Sequence, residues 1–290
     1  MSASKQRIAL VLQYVGTHFH GWQRQPQQRT VQEEVENAIA SIAQQQVPLI
    51  AAGRTDTGVH AAAQVAHFEA NSSIPATKWK AVLNAQLPAD ITILDSQSVP
   101  ANWHARFSAI WRRYRYTIYT DAIPNLFIRP FAWHYYHAAL DELAIQQALI
   151  PLLGQHHLSA FQRSGSQRTH AWVNVHRATC RRLGSFLYID MQANAFLYGM
   201  MRLLVGMLVL VGRKQLSVAD FQDIWQQERR ELVKYAAPAH GLCLLGVGYP
   251  HSPFSPRIWQ ATMPHFLVRP LTADAPPPAS TCHGPTQESL

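Results

Sequence analysis

Short apolar bursts punctuate this chain, and their spacing predicts its elements. Residues 8–14, Ile-Ala-Leu-Val-Leu-Gln-Tyr, make an apolar run of strand length. After Thr30, Val31, Val35, Ile39 and Ile42 recur on one helical face, and Thr30 with Glu33 makes a capping-box pattern. Residues 47–50 and 64–69 have the character of buried strands, Thr77 can cap a helix reaching residue 85, and 91–94 begins another strand. The first hundred residues therefore follow the order strand, helix, strand, strand, helix, strand, which is that of a split βαβ unit.

The second half repeats the theme. Residues 111–120 alternate, with Tyr114, Tyr116 and Ile118 on one face and Arg113, Arg115 and Thr117 on the other. A helix is expected at 141–153, ended by Pro151 and Gly154, then strands at 173–182 and 186–193 around a turn at 183–185. A long apolar helix follows at 195–211 with Gly212 as its C-terminal cap, then a helix capped at Ser217 and a closing strand at 242–249. This predicts an α+β fold of two tandem ferredoxin-like (split βαβ) units with antiparallel sheets, residues 1–105 and 106–250, and a cleft between them. Residues 251–290 carry eight prolines and little periodicity, as expected of an extended or disordered tail, although 254–268 keeps apolar residues that could pack on the body.

Composition narrows the partners. The 290 residues are 48% hydrophobic, enough for a sizeable core. Lys and Arg (25) outnumber Asp and Glu (17), so a polyanion, nucleic acid first, is the favoured partner. Cys180, Cys243 and Cys282 are scattered and odd in number, which fits a reducing cytoplasm better than a disulfide framework. The most apolar stretch, 195–212, is interrupted by Arg202 and short for a membrane span, and no signal peptide is evident at the N-terminus. His18 with His20 and His156 with His157 lack third ligands at useful spacing, so no metal is expected. Neither a Gly-x-Ser-x-Gly nucleophile signature nor a Gly-rich phosphate loop occurs.

Candidate chemistry concentrates between the strands at 47–50 and 64–69. Gly53 and Gly58 bracket Arg54-Thr55-Asp56-Thr57, a sharp turn with Asp56 at its crest. By spacing alone this is an ordinary turn in which Asp56 caps its own backbone. Arg202 adds a second signal, because a guanidinium on a helix apolar nearly all round needs an acceptor, and Asp56 is the expected carboxylate. Such a pair would hold Asp56 ionised by depressing its pKa. The loop 16–25 mixes His18, His20, Trp22, Arg24 and Gln25, a composition suited to RNA contact. Arg106, Arg112, Arg113 and Arg115 are candidate phosphate ligands.

Three stretches resemble one family. Gly53-Arg-Thr-Asp-Thr-Gly-Val-His-Ala61, the run from His104 through Tyr114, and Ala193-Asn-Ala-Phe…Met201-Arg202…Val205-Gly206 are similar, in order and spacing, to motifs of the tRNA pseudouridine synthase A family. The opening Tyr14-x-Gly-Thr…Gly-Trp-Gln-Arg-Gln25 agrees, and the resemblance spans about residues 7–250. The departures are Thr57 where the family usually has Ala and Leu203 where it usually has Asn. The resemblance implies a cofactor-free homodimer that isomerises uridines at positions 38 to 40 of the tRNA anticodon stem-loop. Asp56 would be catalytic, Arg202 would orient it, Tyr114 would stack on the target base, and Arg54 would fill the space left in the helix. Attack at C1′, attack at C6 and assisted elimination to a glycal all stay open. A non-catalytic RNA clamp on the same scaffold is the competing class, and an intact Asp56, Arg202 and Tyr114 set argues against it.

Overall fold

In the computed structural model, which describes residues 4–166 and 168–266, the first apolar run becomes β1 (Ser4–Tyr14). It leads to α1 (Val31–Ala43), the two-residue β2 (Ile50–Ala51), β3 (His60–Ser72), α2 (Trp79–Asn84) and β4 (Ile91–Ser98). The second half supplies β5 (Trp111–Tyr119), β6 (Trp133–His134), α3 (Glu142–Leu149), β7 (Gly154–His157), β8 (Trp172–Leu183) and β9 (Phe186–Ala193). It continues with α4 (Met200–Gly212), α5 (Val218–Gln226), β10 (Leu242–Gly248) and α6 (Arg257–Ala261). The fold is mixed α+β, and the strands of both halves join in one sheet of order β4-β1-β3-β10-β5-β9-β8-β7, with β2 on β3 and β6 on β5.

The halves meet where β10 lies parallel to β3, with Cys243 opposite His60 and Leu244 opposite Ala61. Because β1 occupies the other edge of β3, β2 must lie farther along this same edge, Ile50 opposite His67 and Ala51 opposite Ala66. The loop 52–59 thus leaves and re-enters the sheet at the seam between the halves. Apolar faces of α1 to α5 and the sheet bury a single continuous core that includes Tyr114, Tyr116, Ile118, Ile189 and Met191. Tyr119, Phe186 and Tyr188 form a smaller cluster with Ile128 and Ala132, with Phe266 packed against it.

Several expectations are corrected, each for a local reason. The strand expected at 47–50 shrinks to Ile50–Ala51, because Leu49 N–H donates to the Glu36 carboxylate (2.8 Å) and its carbonyl accepts from the Gln32 amide (3.2 Å), while Pro48 has no N–H to donate. The capping box does not form: Thr30 sits at the N-cap of α1, but its hydroxyl caps nothing. The first helical N–H groups instead reach the preceding loop, Val31 to the Gly21 carbonyl and Gln32 to the Trp22 carbonyl. The helix expected from residue 195 starts only at Met200, after Gly199 takes a left-handed φ of 70°. Gly212 is its last residue rather than its cap, and a Cβ there would stand 2.8 Å from Ile145 Cδ1. The 141–153 helix ends at Leu149 and tightens into a 3₁₀ turn at Ile150–Leu152. Of the expected tail, Phe254 is buried and Phe266 packs on the smaller cluster, while residues 267–290 lie outside the described residues.

Arg113 and Arg115 are also corrected. Their face of β5 is covered, and both guanidinium groups turn to Asp190 on β9. Arg115 is fully buried and bidentate, Nε to Oδ1 at 2.7 Å and Nη2 to Oδ2 at 2.9 Å, so neither residue is a free phosphate ligand. Removing one partner strands a buried charge. Asp190→Ala should therefore cost about 3–5 kcal/mol in chemical denaturation, whereas a surface pair removed the same way should cost under ~1 kcal/mol.

His60 ties the seam together. Gly16 N–H donates to its Nδ1 (3.0 Å), so Nε2 carries the proton and donates toward the carbonyls of Pro130 (2.9 Å) and His240 (3.1 Å). Burial lowers its pKa from 6.5 to about 4, outweighing those carbonyls. The unfolded chain binds this proton near pH 6.5 and the folded chain only near pH 4, so stability is lost as pH falls through that window. His67, lowered likewise, adds to the loss. Thermal unfolding across this window should show a smaller acid-induced drop in His60→Gln than in the wild type; an unchanged drop would refute the assignment.

Candidate active site

The loop 52–59 is held from three sides. On its β1 side, Trp22 N–H donates to the Thr55 carbonyl (3.0 Å), Gly58 N–H to the Phe19 carbonyl (3.2 Å), and the Tyr14 and Thr55 hydroxyls meet at 2.7 Å. Gly21 takes φ 83°, and a Cβ there would stand 2.7 Å from the Thr55 carbonyl oxygen, so only glycine lets the two loops lie this close. From β3, Gln64 Nε2 donates to the Gly53 carbonyl (2.8 Å). From β5, the Arg112 guanidinium donates to the Ala52 carbonyl (2.8 Å). Val59 N–H closes the turn on the Asp56 carbonyl (3.1 Å).

This framework revises the reading of loop 16–25. Phe19 and Trp22 are buried, and Trp22 packs against Tyr14 with ring centroids 6.1 Å apart. They brace the Asp56 loop, and the exposed Thr17, His18, His20, Arg24 and Gln25 form its outer surface, with Arg24 paired to Glu36 (3.3 Å) and the Gln25 amide donating to the His20 carbonyl (2.9 Å). Arg112 is likewise committed to backbone carbonyls, those of Ala52, Arg106, Ala109 and Asn194, which removes it from the set of free phosphate ligands.

Asp56 projects from this turn toward α4, where Arg202 Nη1 stands 3.6 Å from its Oδ2. Arg202 is aimed by the segment after α5: its Nε donates to the Ala237 carbonyl (2.7 Å), and Ala237 N–H donates to the Arg202 carbonyl (2.9 Å). Gly206 permits this approach, since a Cβ there would stand 2.1 Å from the Tyr235 carbonyl oxygen. Tyr114 is buried beside the pair, edge-on to Phe196 at 4.7 Å. Burial, followed by the nearby Tyr14 and Asp56, holds its phenol protonated above its usual range. Three of the four sequence-marked residues converge, while Arg54 stands exposed on the loop.

The expected depression of the Asp56 pKa is reversed. Burial raises it, and the charges of Arg202 and Arg163 pull it back only in part. Asp190 is the instructive contrast: it is the more enclosed carboxylate, yet its pKa is lowered, because Arg115 and Arg113 bind it through direct hydrogen bonds of 2.7–2.9 Å. Asp56 receives one guanidinium nitrogen at 3.6 Å, so desolvation prevails. A carboxylate this weakly solvated is a stronger nucleophile than one locked in a bidentate pair.

Arg163 is the site residue that sequence reasoning missed. It lies on the exposed loop after Phe161, its N–H donates to the Tyr198 carbonyl (2.9 Å), and its guanidinium lies over the Tyr198 ring at 5.5 Å. No periodicity marks such a loop, and only its electrostatic influence on Asp56 singles it out. Among the described residues no group of three or more His, Cys, Asp or Glu could hold a metal ion, and no helix is long and apolar enough to cross a membrane.

A carboxyl titration followed by NMR should place the Asp56 midpoint above 3.8, the ordinary value. Arg202→Gln, which removes the larger of the two charges lowering it, should move that midpoint higher still; a midpoint below 3.8 in the wild type would overturn this electrostatic account.

Comparison with known proteins supplies independent evidence. The profile of a family described as tRNA pseudouridine synthase matches residues 10–108 and 148–250. A protein of Picosynechococcus sp. named tRNA pseudouridine synthase A is 62% identical over 264 residues, 91% of this chain and 96% of its own. Its namesake from Thermosynechococcus vestitus is 62% identical over 92% of this chain and 94% of its own. The one from Synechocystis sp. is 59% identical over 91% and 96%.

Proposed function

This chain belongs to the tRNA pseudouridine synthase A family, and on that premise we propose that it isomerises uridine to pseudouridine at positions 38, 39 and 40 of the tRNA anticodon stem-loop. The observation that carries this reading is the meeting of Asp56, Arg202 and Tyr114 at the seam between the halves.

Asp56 is the nucleophile of the proposed reaction. The target uridine must leave its stack for the carboxylate to reach it, and the Tyr114 ring offers a surface to replace the lost stacking, worth about 1–3 kcal/mol per base. Ionised Asp56 adds to C1′ of the ribose or C6 of the base, or assists elimination to a glycal. In each route the N1–C1′ bond breaks, uracil turns in its pocket, C5 bonds to C1′, and the C5 proton is lost while N1 regains one. The Asp56–carbon bond of either covalent route breaks again to free the carboxylate, and the glycal route returns to C2′ the proton taken from it. Atoms and charge balance without an added cofactor. Arg202 positions the carboxylate through its Ala237 anchor, and exposed Arg54 is free to occupy the space left in the RNA helix.

The finer architecture belongs to this proposal. The orders β4-β1-β3-β2 and β10-β5-β9-β8 follow one pattern, which supports two ferredoxin-like units, 1–105 and 106–250, with the active cleft between them. A homodimer in the cytoplasm fits the reading, and exposed Ile123, Leu126 and Phe127 make an apolar surface of the kind a second copy covers.

Unmodified tRNA incubated with the wild type and mapped by carbodiimide labelling and primer extension should gain pseudouridine at positions 38–40. Asp56→Ala should abolish the signal, a loss of at least about 10³-fold, while tRNA binding persists. Binding without modification by the wild type would instead leave an RNA clamp as the better account.

A further inference from the structure

Phe107 is 76% exposed, yet the loop that carries it is held by several short-range hydrogen bonds. The N–H groups of Arg106 and Phe107 both donate to His104 Nδ1 (3.0 and 3.2 Å). Ser108 N–H donates to the His104 carbonyl (2.9 Å), and His104 N–H donates back to the Ser108 hydroxyl (3.0 Å). The ring is stiffened from behind: Phe107 lies 4.4 Å from the His104 ring, which meets His67 at 4.7 Å, which in turn meets Trp103 at 5.8 Å. An apolar ring presented to water on so rigid a mount serves contact with something outside the chain.

Position and charge identify that contact. The same Arg112 nitrogen that holds the Ala52 carbonyl of the Asp56 loop (2.8 Å) also holds the Arg106 carbonyl (2.7 Å). The Phe107 mount and the Asp56 loop are therefore pinned to one guanidinium. The Arg106 guanidinium stands over the Phe107 ring at 5.5 Å, and both Arg106 and Arg168 lie within electrostatic reach of Arg112. An aromatic face with cations around it is the chemistry of a base-stacking platform beside a phosphate track.

We propose that Phe107, flanked by Arg106 and backed by His104, stacks on an unpaired base of the bound tRNA next to the uridine presented to Asp56. The inference rests on the reading of this chain as a tRNA-modifying enzyme. Phe107 is a binding residue here: it stacks on a base that does not react, so it acts on affinity and not on turnover.

The full-length chain carrying Phe107→Ala, Phe107→Leu or Phe107→Trp tests it against an unmodified tRNA transcript, with affinity by filter binding, turnover, thermal unfolding and sedimentation. Ala and Leu should weaken binding by roughly five- to a hundredfold while Trp restores it, because the stacking of one base is lost and regained. The unfolding temperature and the turnover at saturating tRNA should not move. Leu as good as Phe, or Ala without effect while the wild type modifies the transcript, overturns the platform and leaves the function standing. A changed oligomeric state in Ala with unchanged affinity overturns it in favour of a contact between copies. A wild type that fails to bind the transcript overturns this inference together with the function beneath it.

Discussion

A carboxylate withdrawn from water but not neutralised by its partner is the constraint that organises this molecule. Burying Asp56 without a bidentate guanidinium is unfavourable, and the remainder of the fold must hold it there. That requirement accounts for the crowding of the loop 52–59 by Gly21, Trp22, Gln64 and Arg112, each fixing a backbone group that would otherwise let the turn relax toward solvent. It also accounts for Arg202 being clamped at Ala237 rather than left to close on the carboxylate. The two Asp–Arg arrangements contrast, Asp190 being neutralised by direct ion pairs and Asp56 left underpaired, as the proposed nucleophile requires.

How much of this was legible in the chain depended on how local the signal was. The order of elements followed from apolar spacing, because a strand face or a helix stripe is written within ten or so residues. Asp56, Tyr114 and Arg202 were legible through motif wording, and Arg202 also through the cost of a charge on an apolar helix. The Asp56 pKa was misjudged because its sign turns on contact distance, 3.6 Å against 2.7 Å, which no spacing encodes. Arg115 alternated as an exposed residue should, and only the strand register with Asp190 opposite reveals a covered face. Arg163 and the bracing role of Phe19 and Trp22 were invisible for the same reason: their partners lie tens of residues away.

Helix ends failed in a related way. Thr30 with Glu33 satisfied the local rule for a cap, yet the helix start is satisfied from outside instead, Val31 and Gln32 N–H donating to the carbonyls of Gly21 and Trp22. A tertiary contact displaced a local one, and the start of α1 became part of the scaffold under the Asp56 turn. The shortened β2 shows the same substitution, with Glu36 and Gln32 side chains standing in for a neighbouring strand.

The last strand of the described chain to be synthesised, β10, occupies the middle of the sheet. Until residues 242–248 leave the ribosome, the stretches of β3 and β5 that β10 covers are unpaired, and only the two-residue β2 and β6 lie on those strands farther along. A nascent or truncated chain would therefore display two open edges at the very seam where Asp56 is later buried. Completion of β10 is thus what closes the seam from which the Asp56 loop rises.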